Sequence, residues 1–420
     1  MNIDKFDFSK IIKKIEFSEY ELSEIRKEVN GFQERLKKGV GKQAEVFIGG
    51  SYAKGTMLKK GKIDIDVFVI FPEDKGDLSE KLRKFLTRAG FKFSTIHGSR
   101  DYFQVNVKGI TFEIVPIFKI KKAEQSKNIT DISPLHVKWL IGKIKKKPNI
   151  PKEIILSKIF CYSQNCYGAE SYISGFSGYA LEVLTVYYKS FMNFLKQASK
   201  WDLKTKIIID PEKYYKNKDE ILREINKAKQ EGPLILIDPV QKERNVCAAL
   251  NKKTLENFVK TAKSFLRNAS YTYFEKKPID FERWKKKEGF FIIKATTLKK
   301  KTDIAGAKLK KFLDFIDYES YKNGFKIIKK EIDFDEEELE AKFYVLVEKC
   351  DEMLVKGPPT NLDKKHILAF KKKWKNAFEK QGKLFAKMPC KFKNFEDFMR
   401  NLKKSPIIKQ MKIKDFEILK

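Results

Sequence analysis

Residues 47–71, FIGGSYAKGTMLKKGKIDIDVFVIF, place two carboxylates, Asp64 and Asp66, inside an apolar run just after a Gly-Gly-Ser turn. The flanking residues Ile63, Ile65, Val67, Phe68, Val69 and Ile70 read as a buried strand. Successive side chains of a strand alternate faces, so Asp64 and Asp66 project side by side. Like charges placed together repel, and unpaired charge is costly where the surroundings are apolar. A hard divalent cation such as Mg²⁺, shared with phosphate oxygens, relieves both problems. The Gly49-Gly50-Ser51 turn lets backbone N–H groups approach an anion and leads into a short helix whose N-terminus favours phosphate. Turn and strand together predict a metal–triphosphate site.

The chain has 420 residues, of which 42% are hydrophobic and 13% aromatic, which excludes a disordered chain. That length implies about two to four domains. With 89 Lys and Arg against 56 Asp and Glu, the net charge is +33, and a polyanionic partner such as nucleic acid is expected. Charge alone does not choose RNA over DNA. Five cysteines, Cys161, Cys166, Cys247, Cys350 and Cys390, are scattered without a C-x-x-C pair, so neither a disulfide framework nor a zinc site is indicated. Three histidines, His97, His136 and His366, are too few for a histidine-based metal centre. The N-terminal stretch lacks a continuous apolar core and no segment approaches the roughly 20 apolar residues of a membrane span. A cytoplasmic protein with no membrane partner is expected.

In chain order, 4–38 carries apolar residues at helical spacing and reads as two helices. A strand is expected over 44–49, a turn and short helix over 51–58, the carboxylate strand over 62–71 and an amphipathic helix over 78–89. The segments 102–107 and 110–118, joined at Lys108-Gly109, form a hairpin. Glu113 is the only charge in ITFEIVPIF. If this strand lies beside the carboxylate strand, Glu113 joins Asp64 and Asp66 around the same metals; otherwise it reaches solvent from an edge. Residues 176–201 read as one long helix with Ser177 as N-cap and an aromatic stripe (Tyr179, Tyr187, Tyr188, Phe191, Phe194) facing a core. Short strands are expected at 207–209 and 234–237. A composition shift follows Phe274, and beyond it come a strand (290–297), a helix (305–321), strands at 325–334 and 342–349 and a helix (363–377), close to a ferredoxin-like α+β unit. Lysine-rich helix faces there (Lys308, Lys310 and Lys311; Lys364, Lys365, Lys371, Lys372 and Lys373) suit either phosphates or plain solvation.

The turn GSYAKGT, the strand IDIDVFVIF and the later FEIVP resemble the nucleotidyltransferase superfamily of DNA polymerase β type. Downstream, TDISPLH (130–136), SKIFCYSQNCYGAE (157–170), GFSGYALEVL (175–184) and IDPVQKERNVCAAL (237–250) narrow the resemblance to the archaeal, class I CCA-adding tRNA nucleotidyltransferases. It spans roughly residues 1–275, with a weaker continuation to the end. The resemblance implies a multidomain α+β protein: a polymerase β-like head at 1–140, a helical neck at 141–205, a mixed body at 206–276 completed by 386–420, and a ferredoxin-like tail at 277–385 that holds the tRNA elbow. It implies Asp64, Asp66 and Glu113 as carboxylates for two Mg²⁺ ions, with Glu113 standing where the family usually has Asp. The triphosphate would meet Gly50, Ser51 and Lys54, the last replacing a common Arg and so trading a bidentate fork for a point charge. Ser133 and His136 fall at another nucleotide-contacting pair, and Lys158 and Tyr167 at the neck's cation and aromatic. Arg244 corresponds to a residue that helps select cytosine and adenine.

The residues themselves leave alternatives beside these roles. Lys158 on a mixed helix face is ordinarily exposed. His136 near a helix start is ordinarily structural or exposed, Tyr167 packs at a helix end, and Arg244 in a charged loop is a surface residue unless it meets a base edge. The expected activity is template-independent addition of CCA to the tRNA 3′ end from CTP and ATP. A poly(A)-polymerase-like enzyme would share the metal site without needing CTP, and an inactive RNA-binding protein would keep fold and charge alone. Monomer and homodimer are both compatible with the sequence.

Overall fold

A computed structural model describes residues 3, 6–59, 61–72, 76–98, 100–276, 281–299, 301–350 and 352–419. They fall into two units, Met1–Lys276 and Lys277–Lys420. In the first unit, helices α1 (Ser9–Ile15) and α2 (Glu19–Val40) precede five strands: β1 (Glu45–Ile48), β2 (Ile63–Phe71), β3 (Ser94–Ile96), β4 (Tyr102–Val107) and β5 (Ile110–Phe118). The short α3 (Gly50–Ala53) lies between β1 and β2, and α4 (Leu78–Arg88) between β2 and β3. The strand order is β1-β2-β5-β4-β3, with β2 and β5 parallel and the other neighbours antiparallel. Every strand expected in 44–118 is therefore present in one sheet, together with the short β3.

Local chemistry explains these elements. Ser18 opens α2 with a capping box, in which its Oγ accepts from the Glu21 N–H at 3.2 Å and the Glu21 carboxylate accepts from the Ser18 N–H at 2.9 Å. Ile25, Val29, Phe32 and Leu36 form the helical stripe that α2 buries on the sheet, where Phe32 stacks on Phe112 at 3.8 Å between ring centres. Burying one such side chain stabilises the fold by about 1.5–3 kcal/mol. Ile65, Val67, Val69 and Phe71 of β2 enter the same core, with Ile110, Phe112 and Ile114 of β5. The two-residue period then turns Asp64, Asp66 and Glu113 to the opposite face.

The rest of this unit is mainly helical: α5 (Ser133–Lys146), α6 (Ile150–Ser163), α7 (Gly178–Tyr188), α8 (Phe191–Ala198), α9 (Lys218–Glu224) and α10 (Lys252–Arg267), with β6 (Ile207–Ile209) and β7 (Leu234–Leu236) paired in parallel. An aromatic core including Phe160, Phe176, Phe191, Phe194, Phe258 and Phe265 unites α6, α7, α8 and α10. The single helix expected over 176–201 is two helices. Lys189 ends α7 in the left-handed conformation (φ 69°), and Ser190 caps α8 by accepting from the Asn193 N–H. The Glu153 carboxylate accepts from the Phe191 N–H at 2.8 Å, satisfying a donor that the break exposes. Tyr187, placed in the core stripe, is exposed, whereas Phe191 and Phe194 are buried.

The second unit starts with α11 (Glu282–Lys285), β8 (Phe290–Thr297), α12 (Thr302–Lys322), β9 (Phe325–Asp335) and β10 (Glu340–Lys349). It continues with β11 (Glu352–Pro359), α13 (Lys364–Lys373), β12 (Phe378–Lys380), β13 (Lys383–Pro389), α14 (Phe395–Lys403), α15 (Pro406–Gln410) and β14 (Ile413–Ile418). One antiparallel sheet has the order β14-β8-β10-β9, and a smaller one the order β11-β13-β12. The helix at 364–373, expected to close the strand–helix–strand–strand–helix pattern, packs instead on β11, where Phe370 abuts Gly357. Phe395, Phe398, Met399 and Leu402 of α14 fill the core of the larger sheet beside Leu309, Phe312 and Ile316 of α12. Residues 386–420, expected to complete the 206–276 body, thus supply α14 and β14 to this unit. No described helix is long and apolar enough to cross a membrane.

Candidate active site

The carboxylate strand meets its glycine turn at close range. Gly50 has a positive φ of 62°, and a Cβ built on it would lie 1.7 Å from Asp66 Oδ2. Only glycine fits there. The Gly49 N–H donates to the Asp66 carbonyl at 2.8 Å, and a Cβ on Gly49 would strike the Phe68 ring at 2.5 Å. Ser51 lies inside α3, and its carbonyl accepts from the Thr56 N–H at 2.9 Å, closing the turn.

Asp66 is in register with Glu113 on the parallel β5, and Asp64 with Thr111. All three carboxylates therefore share one face of two adjacent strands. Glu113 Oε1 accepts from Gln104 Nε2 at 2.7 Å, the two being register partners on β5 and β4. Asp64 is exposed and Asp66 half-buried. Burial pushes the Asp66 carboxyl above the usual carboxylate range; Lys54 opposes that shift, while Asp64 and Glu182 add to it. Such strain suits a cation, and the donors are the hard oxygens that Mg²⁺ prefers. As the side chains stand, no group of three or more His, Cys, Asp and Glu among the described residues is gathered as a metal site.

Behind the turn lies a buried ion cluster. Glu182, from α7, is 1% exposed and accepts from Lys54 Nζ at 2.7 Å, Lys158 Nζ at 2.9 Å and Thr56 Oγ1 at 3.1 Å. Burial raises its carboxyl, but Lys158 and Lys54 override that and hold it at about 2. Lys158 is itself 3% exposed and also donates to the Thr56 carbonyl and hydroxyl, at 3.2 and 3.0 Å. The ordinary exposure of a helix lysine is thus overturned. Tyr167 is half-buried, with its hydroxyl 3.1 Å from where a Gly178 Cβ would stand; burial, and then Glu182, raise that phenol.

A second cluster gathers on Asp238, which is fully buried. Its Oδ2 meets His136 Nε2 at 2.9 Å and Arg244 Nη1 at 2.6 Å, and its Oδ1 accepts from the Tyr179 hydroxyl at 3.2 Å. Burial works against the Asp238 carboxylate, but His136 and Arg244 lower its pKa on balance. The His136 and Tyr179 rings lie 4.2 Å apart, and the Arg244 side chain is 30% exposed. Ser133, half-buried, opens α5 one turn before His136. The structure thus joins Gly50 to Asp66, Lys54 to Lys158, and His136 to Arg244.

Sequence reasoning misses Glu182 and Asp238, although a signal exists. Glu182 is the only charge in GYALEVLTVYY and Asp238 the only one in LILIDPV, the pattern that marks Glu113.

Comparison with known proteins bears on family and fold. Residues 1–144 match the family model of the second messenger oligonucleotide or dinucleotide synthetase domain, and 152–275 that of the tRNA nucleotidyltransferase second domain. The solved structure of a cytoplasmic RNA terminal U-transferase superposes with a TM-score of 0.51 at 15% identity, covering 64% of this chain and 98% of that one. The fold is thus shared with that enzyme, and the two matched family models place the chain in the nucleotidyltransferase superfamily. A CCA-adding enzyme of Nanoarchaeum equitans is 41% identical over 76% of this chain and 78% of its own. Another, of Methanocaldococcus jannaschii, is 30% identical over 85% and 80% respectively. The chain belongs to the family of CCA-adding enzymes, the tRNA nucleotidyltransferases that add CCA.

Proposed function

We propose that this chain adds cytidine, cytidine and adenosine to the 3′ end of tRNA from CTP and ATP, without a nucleic-acid template and with release of pyrophosphate. Its family membership supports the reaction, and the observation that carries the site is the contact of Gly50 with Asp66, whose register partner is Glu113. Asp64 and Asp66 would hold Mg²⁺, and Glu113 would complete the set by turning from Gln104, its extra methylene giving it the reach. Two such ions, when bound, lower the pKa of the attacking 3′-hydroxyl and stabilise the leaving pyrophosphate. The chain's own part is geometry and charge. The Gly49–Ser51 turn offers backbone N–H groups to phosphate, and Lys54 and Lys158 supply positive charge behind it. Tyr167, beside Gly178, and Ser133, His136 and Arg244 would meet the nucleotide, the last two held in place by Asp238.

The expected head (1–140), neck (141–205) and body (206–276) belong to the same proposal, with 386–420 now part of the tail. In the second unit, β8-α12-β9-β10-α14-β14 follows the strand–helix–strand–strand–helix–strand order of a ferredoxin-like fold, with β11–β13 inserted. Exposed Lys364, Lys365, Lys371, Lys372 and Lys373 of α13 suit the phosphates of the tRNA elbow. The test is incubation with Mg²⁺, labelled CTP or ATP, and tRNA lacking its last three nucleotides. Addition of three nucleotides that needs both triphosphates is expected. Long A-tails from ATP alone, or tight tRNA binding without incorporation, would overturn the proposal.

A further inference from the structure

In the proposed reaction Lys54 is a cation for the triphosphate, yet its ammonium donates to the Glu182 carboxylate at 2.7 Å. It also caps the C-terminal end of α3, the four-residue helix whose Gly50 lies against the Asp66 carboxylate. Lys54 is therefore bonded to one carboxylate and stands one short helix from the other. Lys158 is anchored differently, since the carbonyl and hydroxyl of Thr56 accept from it in addition to Glu182. An ammonium moved onto Asp66 would occupy the oxygens a divalent cation needs.

We propose that Glu182 is a positioning residue that withholds the Lys54 ammonium from Asp66, leaving the strand carboxylates to a divalent cation and Lys54 to the triphosphate. The inference rests on reading Asp64 and Asp66 as metal ligands. The placement of Glu182 argues for it. The residue comes from α7, outside the sheet, and is 1% exposed; a carboxylate so deep is sustained only by the partners it holds. Glu182→Gln keeps the shape but presents an NH₂ donor where two ammonium groups now donate. Its remaining carbonyl accepts from one of them. Lys158, held by Thr56 as well, keeps that carbonyl, so Lys54 is the group released, and Asp66 is the carboxylate against which its own short helix packs.

The test is Mn²⁺ binding to the full-length, nucleotide-free protein, followed by electron paramagnetic resonance. Glu182→Gln should weaken binding about tenfold, within the usual coupling range of charges in one network. The Glu182→Gln/Lys54→Met double variant should recover most of the loss. Glu182→Gln/Lys119→Met, with the same net charge but a lysine outside the cluster removed, should stay weak. Wild-type affinity in Glu182→Gln, or equal recovery by both doubles, would overturn the inference, because Glu182 would then be a structural or background charge. Should Glu182→Gln fail to fold, Glu182→Asp decides the matter, with a smaller loss that Lys54→Met reverses; no loss, or no reversal, overturns it. Mn²⁺ binding that Asp66→Asn leaves unchanged would instead overturn the metal-ligand reading itself.

Discussion

At the scale of single residues, the site depends on contacts too close to tolerate change. Gly50→Ala would place a methyl 1.7 Å from Asp66 Oδ2 on a backbone with φ 62°. Displacing that carboxylate by about 1 Å should cost roughly a hundredfold in nucleotide incorporation, read from kcat/KM with CTP. Glu182 carries weight in stability as well. Removing it as Glu182→Ala leaves two buried ammonium groups without their carboxylate and should cost about 3–5 kcal/mol in urea unfolding. Its carboxyl is lowered from 4.5 to about 2, so the unfolded chain binds the proton more readily. The stabilisation is therefore complete above pH 4.5 and is lost as pH falls towards 2. Urea midpoints of wild type should fall through that window, and those of Glu182→Gln should fall less. The sequence makes Asp64, Asp66 and Glu113 conspicuous because carboxylates in apolar strands stand out. Glu182 and Asp238 obey the same rule, but only the fold reveals their partners, which lie 24 to 128 residues away for Glu182.

At the scale of elements, periodicity carries most of the information. Strands β1, β2, β4 and β5 follow from alternation, and so does the shared face of Asp64 and Asp66, because a one-residue slip in β2 would bury both carboxylates in the core. The break between α7 and α8 is not legible, since apolar spacing continues across it and Lys189 is an unusual residue for a left-handed position. Lys189→Gly should accordingly be tolerated and raise stability by up to about 1 kcal/mol, measured by denaturant midpoint. Helices 364–373 and 395–403 are both amphipathic enough to serve as the second helix of the larger sheet. Which one docks depends on the inserted β11-β13-β12 sheet, which the sequence pattern does not disclose.

At the scale of the whole molecule, charge and family act together. A net charge of +33 makes phosphate neutralisation the main source of RNA affinity, so log K for tRNA should fall linearly with log salt. A filter-binding series should give a slope corresponding to several neutralised phosphates, and charge reversal at Lys371, Lys372 and Lys373 should make it shallower by about one for each phosphate those lysines neutralise. The central claim, that the turn and strand around Asp66 perform nucleotidyl transfer, is tested most directly by comparing Asp66→Asn with wild type at equal tRNA occupancy. Wild type should restore CCA, while the variant should lose about a thousandfold or more in incorporation and bind tRNA normally. Undiminished CCA addition by the folded variant would contradict it.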